Sequence, residues 1–509
     1  MTNTNIGVPK KFFFWIFLAY LAILPIAHTT ALRNLLLLVL CSIVFFHIVF
    51  PSRDQPALGL VVAWPQIPWI WFAWAVYLSL FPLLAVQTEM AWSSFWGQWI
   101  KSLLAWIVGF FAVLLLGRSG PSLFVLAVAS AIPVALHLLL TLAVWSGLLG
   151  NGVPMEVSVE AIFGALANAT SFSQQTSWGW QSFPWGFRGL DPMHGNLGYA
   201  ACQAIALWSV SFCIGWRAID NRKMLASAAG ILLCFLSILI ASSRGAVFFG
   251  LIVLGLTAAI FLTVSKLENQ TDARQMMARQ KIKAGLMLVL AITALAVTAH
   301  QVVNVDSRWS TMFDKVRLGF LLDKPIEFLC DGVSPRIDAE IREKFAARGN
   351  EYAETLIAGL KGQDGGRILL MRAGFEMLLE NPQGLDGSRY SYTKLIEDKC
   401  GHTPALQFAH AHQGWIDTSL SLGWGGAVIF AVLLLYLMNT GWQNLADASV
   451  RPWAFALFVV TAFWFLRGFA DSVYREHYLQ MQGILMAYLF LRMKLTPASR
   501  PLESSAWFK

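Results

Sequence analysis

Charged residues are scarce in this sequence: Asp, Glu, Lys and Arg make up 13% of its 509 residues, while 57% are hydrophobic. A soluble domain normally carries about 25% charged residues. Half that share leaves too few charges to cover a water-soluble fold of this size. The composition therefore argues against a soluble enzyme, a nucleic-acid binder and a disordered scaffold. The 22 Trp and 36 Phe indicate a polytopic membrane protein, because aromatic rings collect at bilayer interfaces.

The sequence also shows no internal repeat and no low-complexity tract, and we expect no cleavable leader. Lys10 and Lys11 precede the first apolar run, residues 12–28, much as a charged start precedes a signal peptide. No small-residue cleavage site closes that run, and further apolar runs follow it. We therefore expect it to be a retained helix.

Twelve apolar runs are long enough to cross a bilayer, which takes about 20 residues of helix. They are 12–28, 34–50, 67–86, 99–117, 122–149, 195–216, 225–242, 245–264, 284–303, 414–438, 452–469 and 479–493. Helices are expected because each backbone polar group in a bilayer must find its partner within the span. The sequence therefore predicts an all-α integral membrane protein with about 12 transmembrane helices.

Lys and Arg are divided unevenly between the two sides of the predicted membrane. With the N-terminus in the cytoplasm, the cytoplasmic segments hold 17 of them and the opposite side holds six, apart from 14 in the long loop 304–411. Short cytoplasmic loops carry the excess of Lys and Arg, and long loops cross largely regardless of charge. Both termini are therefore predicted to be cytoplasmic.

The long external loop predicts a folded domain, because it exceeds the length of a simple connector. Its helix-forming stretches, 337–360 and 368–379, indicate that this domain is small and mostly helical. The predicted organisation is spans one to nine with external loop 150–194 (1–303), the loop domain (304–411), spans ten to twelve (412–494) and a cytoplasmic tail (495–509).

Cysteines are also few, with six in the chain. Four lie within predicted spans and are expected to be inert packing residues: Cys41, Cys202, Cys213 and Cys234. Cys330 and Cys400 both fall in the large external loop, where an oxidising compartment would permit a disulfide. Two unpaired thiols in that loop are the alternative.

The candidate chemical groups lie on the predicted external side. Arg188 precedes the sixth span, Arg244 lies in the turn between spans seven and eight, and His410 and His412 lie where the large loop re-enters the membrane. An Arg at a span end commonly reaches for lipid phosphate, and a His at a helix start can simply cap or pack. His-Ala-His could form a metal pair, but no Cys, Asp or Glu stands close by to complete a zinc site. The external loops also lack the Asp-x-Asp of a magnesium–sugar-nucleotide site, so we predict no metal.

Taken together, these groups suggest one reaction. Two guanidiniums that face a common cavity would bind a diphosphate through bidentate hydrogen bonds and neutralise it as it departs. A neutral His beside them could take a proton from an attacking hydroxyl, because imidazoles change protonation near neutral pH. The set fits glycosyl transfer from a lipid-diphosphate donor at the outer face of a membrane.

Four motifs resemble those of the O-antigen ligase and polymerase superfamily. Residues 412–416, His-Gln-Gly-Trp-Ile, followed by Gly423, are similar to its His-Asn-x-x-Leu…Gly signature, with Gln in place of Asn. Residues 366–373 lead to Asn-Pro-Gln-Gly at 381–384, similar to its Arg…helix…Asn-Pro-x-Gly segment, although 384–387 spreads out the usual Gly-x-Gly. Ser243-Arg244-Gly245 resembles its Ser-Arg-Gly turn, and Arg188 with Asn196 resembles its other external Arg segment.

The resemblance implies a GT-C-like glycosyltransferase of the bacterial inner membrane with a periplasmic active site. It implies transfer of O-antigen glycan from undecaprenyl diphosphate to a hydroxyl of lipid A-core, with inversion and without a metal or other cofactor. His412 would be the general base, and Arg188 and Arg244 would bind the diphosphate. The second-rank candidates are His410, His194, Arg389 and His477, of which His477 is the main rival base. The expected partners are donor, acceptor and membrane lipid, with no nucleic acid.

Three alternatives remain at this stage. An O-antigen polymerase shares the topology and catalytic residues of a ligase. A protein O-oligosaccharyltransferase often extends further beyond its last span, so the layout favours a ligase over it. A transporter of lipid-linked glycan or anionic solute would be expected to show matching halves and ionisable residues within its spans. The predicted spans show no matching halves and hold little that ionises beyond His47 and His137.

Overall fold

The computed structural model describes residues 8–50, 66–149, 158, 183–190, 195–268, 312–361 and 363–496, and the regular structure in these residues is helical, without a strand. In chain order the α-helices are α1 Val8–Ile23, α2 Thr30–Val49, α3 Trp69–Leu84, α4 Thr88–Ser94, α5 Ile100–Leu116, α6 Leu123–Trp145, α7 Gly195–Arg217, α8 Asn221–Ile240, α9 Arg244–Glu268, α10 Met312–Leu321, α11 Pro325–Asp331, α12 Pro335–Lys344, α13 Asn350–Lys361, α14 Gln363–Glu380, α15 Ser391–Cys400, α16 Gly414–Gln443, α17 Arg451–Arg467 and α18 Glu476–Leu495. A π-helical turn, Phe95–Trp99, joins α4 to α5.

Eleven of the twelve predicted spans coincide with helices, and the remaining one, 284–303, lies outside the described residues. Seven helical segments in the described ranges are long and apolar enough to cross a membrane. They are Thr30–Val49, Thr88–Ser119, Leu123–Trp145, Asn196–Arg217, Asn221–Ile240, Arg244–Val264 and Gly414–Gln443. The expectation of an all-helical membrane protein is thereby confirmed at this level.

Helix α7 forms the centre of the first group of helices, where it packs against α6, α8, α9 and α17. Its interior face is rich in small residues, and Ala200, Ala201, Ala204 and Ala206 are almost fully buried. Small side chains allow helix backbones to approach closely, which drives association where no hydrophobic effect operates between helices. Helix α18 forms the centre of the second group, where it packs against α5 and α17.

Arginines mark both ends of the bundle. At one end, the start of α9 meets the end of α17, where a Cβ placed on Gly245 would lie 2.8 Å from an Arg467 guanidinium nitrogen. At the opposite end, Arg492 near the end of α18 donates to the carbonyl of Gly117, after α5. We call the end that contains Arg467 the domain end, because the described residues of the stretch 312–413 meet the bundle there, for example through the Arg389–Glu476 ion pair.

Residues 312–411 contain six helices, α10 to α15, around their own apolar core. A disulfide between Cys330 and Cys400 joins α11 to α15, with their Cα atoms 5.3 Å apart. Beside it, the Ala405 amide donates to the Cys330 carbonyl at 2.9 Å. The segment from Ala405 to His412 is therefore anchored at its first residue. Ile416 and Leu420 of α16 are also part of this core.

Helix α16 is broken at Gly423, whose φ of 75° lies in the left-handed region. The loop that follows α14 enters the break and supplies backbone partners. These contacts are Leu385 N to Leu420 O (2.9 Å), Gly387 N to Ser421 O (3.0 Å) and Trp424 N to Pro382 O (3.0 Å). Gly384, with φ of 80°, is the point of closest approach, since a Cβ there would lie 2.1 Å from the Gly423 nitrogen. The short part of α16 before the break thus contributes to the core of the domain, and the longer part after it belongs to the bundle.

Candidate active site

His412 lies immediately before α16 in a left-handed conformation, with φ of 54°. The next residue, Gln413, caps the helix by accepting a hydrogen bond from the Ile416 amide through its side chain. The Gly414 amide donates to the Gly468 carbonyl at 2.7 Å, which fixes the helix start against the end of α17. Because the two residues that follow His412 are anchored, the backbone that carries its side chain is held in place.

Asp471, in the turn between α17 and α18, is the acidic neighbour of His412. Its Oδ1 lies 3.6 Å from the His412 Nδ1, and the two side chains are 14% and 15% exposed. This separation is too long for a hydrogen bond. It still places a carboxylate beside the imidazole, on the Nδ1 side of the ring. The Asp471 carboxylate also accepts from the Arg467 guanidinium at 3.0 Å.

The contacts of Asp471 keep its carboxylate ionised. Burial opposes ionisation, but the His412 contact and the Arg467 and Arg367 guanidiniums outweigh it and hold the pKa of Asp471 well below its usual range. Arg467 in turn packs against Gly245 of the Ser-Arg-Gly turn. Two motifs that are 169 residues apart in sequence, counted from Ser243 to His412, therefore meet through the Arg467–Asp471 pair.

Asp417, in the first turn of α16, holds two segments of the site together. Its carboxylate accepts from the Ala411 amide at 2.8 Å and from the Ser472 hydroxyl. Ser472 directly follows Asp471, and Ala411 directly precedes His412. This one carboxylate therefore sets the spacing between the His412 segment and the Asp471 turn.

A small pocket that is partly open to solvent lies beside this arrangement. Its lining residues are Gln98, Ser388, Arg389, Ser391, Tyr392, His410, Gly414, Asp417, Thr418, Ser421, Ser472, Tyr474 and Arg475. They come from the π-helical turn, from the loop before α15 and its first two residues, from the segment before α16, from α16 up to Ser421 and from the segment between α17 and α18. His412 does not itself line the pocket, but the centroid of its ring lies 4.2 Å from that of His410, which does.

His410 is a neutral imidazole in this environment. Burial and the nearby Arg475, His412 and Arg367 lower its pKa to about 2. Its Nδ1 accepts a hydrogen bond from the His412 amide at 3.3 Å. An imidazole with so low a pKa is a weak proton acceptor. His410 is therefore less suited than His412 to the role of general base.

Arg389 and Arg475 bring positive charge to the pocket. Arg389 forms an ion pair with Glu476 at 2.5 Å and lies over the Tyr390 ring. Arg475 donates from its Nε to the Ser472 carbonyl at 3.1 Å. Arg389 is a predicted second-rank residue, and Arg475 was assigned no role from sequence. Both guanidiniums are positioned by protein contacts before any anion is bound.

The two arginines predicted to hold the diphosphate lie elsewhere. Arg188 lines a second pocket, with Pro25, His137 and Leu197, which shares no lining residue with the pocket beside His412. Arg244 is the first residue of α9, directly before the Gly245 that packs against Arg467. His194 lies outside the described residues.

His477, the rival base, is already engaged. Its Nε2 lies 3.0 Å from the Asn196 Oδ1, and the Tyr478 hydroxyl donates to the same oxygen at 2.6 Å. His477 does not line the pocket beside His412. The contact joins α18 to the start of α7 and gives His477 a structural part at this end of the bundle.

No group of three or more His, Cys, Asp or Glu side chains within the described ranges is arranged to hold a metal ion.

Within the described residues, these features define the class: an all-helical membrane protein with a helical domain over one end and a His–Asp pair beside a cationic, hydroxyl-lined pocket. Residues 229–431 match the family described as O-antigen ligase. The match contains Arg244, the Asn-Pro-Gln-Gly segment, His412 and Gly423, and it confirms the resemblance to that family. This part of the chain is therefore similar to the O-antigen ligase and polymerase superfamily. No curated protein sequence matches the chain.

Proposed function

We propose that this protein is an O-antigen ligase that moves glycan from undecaprenyl diphosphate to a hydroxyl of lipid A-core. The observation that carries the proposal is the position of His412, which lies beside Asp471 and next to a cationic pocket within the matched family segment. The finer parts of the proposal are a GT-C-like arrangement of 12 spans in the inner membrane, cytoplasmic termini and a periplasmic active site. The count of Lys and Arg supports that orientation.

The proposed step is a direct displacement at the anomeric carbon. The acceptor oxygen forms a bond to that carbon as the bond to the diphosphate oxygen breaks, and the acceptor proton passes to the Nε2 of His412. The leaving group is undecaprenyl diphosphate, whose charge is neutralised by arginines, so the step needs neither ATP nor a metal ion. Inversion of the anomeric carbon follows from a single displacement. Asp471 would orient the imidazole and stabilise the imidazolium that forms.

Asp471→Asn tests the orienting role, because the amide keeps the shape of the carboxylate and removes its charge. We expect kcat per folded enzyme to fall roughly 10- to 100-fold with little change in KM, less than the loss from removing the base itself. Thermal stability should also fall, since the buried Arg467 loses its ionic partner. Asp220→Asn is the control, because Asp220 caps α8 and Asn caps a helix equally well. An unchanged kcat in Asp471→Asn would contradict the orienting role.

Arg188→Ala and Arg244→Ala test the proposed diphosphate ligands. Loss of a charge-assisted hydrogen bond costs about 1.5–3 kcal/mol, so we expect KM for the donor to rise by about 10- to 100-fold. Substitution by Lys should not fully restore it, because a point charge lacks the bidentate fork. Arg475→Ala belongs in the same series. If it alone raises the donor KM, the diphosphate binds in the pocket beside His412 and not near Arg188.

Reconstituted transfer with excess EDTA separates the candidate functions. Purified protein would be mixed with a lipid-diphosphate glycan and lipid A-core, and the products would be identified by mass. Core-plus-glycan product supports the ligase. Glycan lengthened on the lipid carrier, with the core untouched, means polymerase. Glycan transferred to an added peptide acceptor would indicate a protein O-oligosaccharyltransferase. The absence of any covalent product would favour a transporter.

A further inference from the structure

Two hydroxyls on α16 stand out among the groups that line the pocket beside His412. The pocket has seven hydroxyl-bearing residues, and five of them are engaged within the protein. Those five are Ser388, Ser391, Tyr392, Ser472 and Tyr474, which bond to Asp386, to Asp386, to the Leu370 carbonyl, to Asp417 and to the Trp464 carbonyl respectively. The other two, Thr418 and Ser421, have hydroxyl oxygens without a hydrogen-bond partner in the described part of the chain.

Burial of these two hydroxyls without partners lowers the stability of the free protein. Thr418 is 3% exposed and Ser421 is 5% exposed. A buried hydroxyl without a partner destabilises a fold, and native proteins keep few of them. Thr418 and Ser421 are one helical turn apart, on the face of α16 that also turns Gly414 and Asp417 toward the pocket. Their position on one line suggests that a single ligand engages both.

Gln98 lines the same pocket and is 8% exposed. It belongs to the π-helical turn Phe95–Trp99, and such turns recur at functional sites because the extra residue redirects a side chain. The turn is held in place by the Trp99 indole, which donates to the Gly387 carbonyl at 2.8 Å. A side-chain amide offers both a donor and an acceptor, which suits the hydroxyl groups of a sugar.

The charges around the pocket define the ligand further. Arg389 and Arg475 contribute positive charge, and the single lining carboxylate, Asp417, is occupied by the Ala411 amide and Ser472. Arg389 is paired with Glu476, but Arg475 has no carboxylate partner in the described residues, so a neutral sugar alone would leave its charge without an anion. A ligand with hydroxyls beside a phosphate would satisfy both the unpartnered hydroxyls and the Arg475 guanidinium.

We propose that Thr418, Ser421 and Gln98 form a subsite for the hydroxyl groups of a sugar that carries a phosphate, with Arg475 facing the phosphate. The inference rests on the proposed glycosyl transfer and names the substrate chemistry of that same site. Two sources share this chemistry: the first sugar of the diphosphate-linked donor, and a phosphorylated sugar of the acceptor core. His410 lines the same pocket and its ring centroid lies 4.2 Å from that of His412, so a sugar bound here would be separated from His412 by no more than the His410 ring.

Thr418→Val and Ser421→Ala remove each hydroxyl with little change of shape. We expect each to raise one KM about three- to tenfold at nearly constant kcat, because one net hydrogen bond of about 0.5–1.5 kcal/mol is lost. The melting temperature should stay unchanged or rise, since the free protein loses an unpartnered buried hydroxyl. Ser419→Ala is the matched control, because its hydroxyl on the same helix bonds to the Trp415 carbonyl at 2.8 Å and does not line the pocket.

The two sources are separated by measuring KM for the lipid-diphosphate glycan and for lipid A-core independently. A rise for the donor alone assigns the subsite to the donor sugar, and a rise for the acceptor alone assigns it to the core. Unchanged KM values in both variants, or an equal change in Ser419→Ala, overturn the subsite while normal transfer keeps the proposed function. If wild-type protein gives no transfer, binding is measured instead, as the shift in melting temperature that the lipid-diphosphate glycan or lipid A-core induces. Shifts that Thr418→Val reduces would then support the subsite without the reaction, and shifts that neither variant alters would overturn it.

Discussion

His412→Ala is expected to reduce glycosyl transfer by a factor of about 10² to 10⁴, the contribution of a positioned general base. The acceptor hydroxyl then has no group to receive its proton beside the anomeric carbon. His410 cannot replace it, because its pKa of about 2 makes it a weak proton acceptor. The measurement is the initial rate of product formation by purified protein, compared at equal amounts of folded enzyme.

The variant should remain folded, because the His412 side chain makes no hydrogen bond through Nδ1 within the described structure. His477→Ala is the informative comparison. It removes the contact with Asn196 that joins α18 to α7, so it should lower the melting temperature more than the transfer rate. Full activity in His412→Ala together with an inactive but folded His477→Ala would move the base assignment to His477.

Gly384→Ala is expected to prevent stable folding. A Cβ there would lie 2.1 Å from the Gly423 nitrogen and 2.6 Å from the Leu422 carbonyl carbon, so two backbones would have to separate. Their separation would also break the hydrogen bonds that the 382–387 loop makes to α16. A loss on the order of 4 kcal/mol or more is expected from such an overlap combined with lost hydrogen bonds. Yield of monodisperse protein and its melting temperature measure the effect.

Gly401→Ala separates overlap from backbone conformation. Gly401 also has a positive φ, 68°, but a Cβ there would have no neighbour within 4 Å. The left-handed conformation alone costs about 1–2 kcal/mol for a residue with a Cβ. We therefore expect Gly401→Ala to fold with a modestly lower melting temperature. Equal behaviour of the two variants would show that the Gly384–Gly423 contact is not needed for the fold.

The spans were the most predictable feature of this chain. Long apolar runs and the need to satisfy backbone groups within a bilayer leave helices as the only local solution, so most boundaries follow from composition. The break at Gly423 was not predicted, because its new partners come from residues 382–387 and periodicity within α16 carries no sign of them. The π-helical turn at 95–99, which extends one predicted span toward the domain end, was not predicted either. Its contact is also distant in sequence, because the Trp99 indole bonds to the Gly387 carbonyl.

The site was predictable only in part. The family motifs selected His412, and the structure places it beside a cationic pocket. Asp471 and Arg467 escaped notice because they lie near the end of a predicted span, where an acidic and a basic residue four apart suggest only a local ion pair. Their meeting with His412 depends on the packing of α17 against the start of α16. Long-range contacts of this kind cannot be read from the pattern of a single sequence. For the same reason the sequence did not show that Arg188 lines a different pocket from the one beside His412.

The central claim is that His412 activates an acceptor hydroxyl for glycosyl transfer. The most direct test compares wild-type protein with His412→Ala, each reconstituted with a lipid-diphosphate glycan and lipid A-core in EDTA, and follows the core-plus-glycan product by mass. The account predicts that the wild-type protein forms this product and that the folded variant forms almost none. Equal product from both proteins would contradict the account.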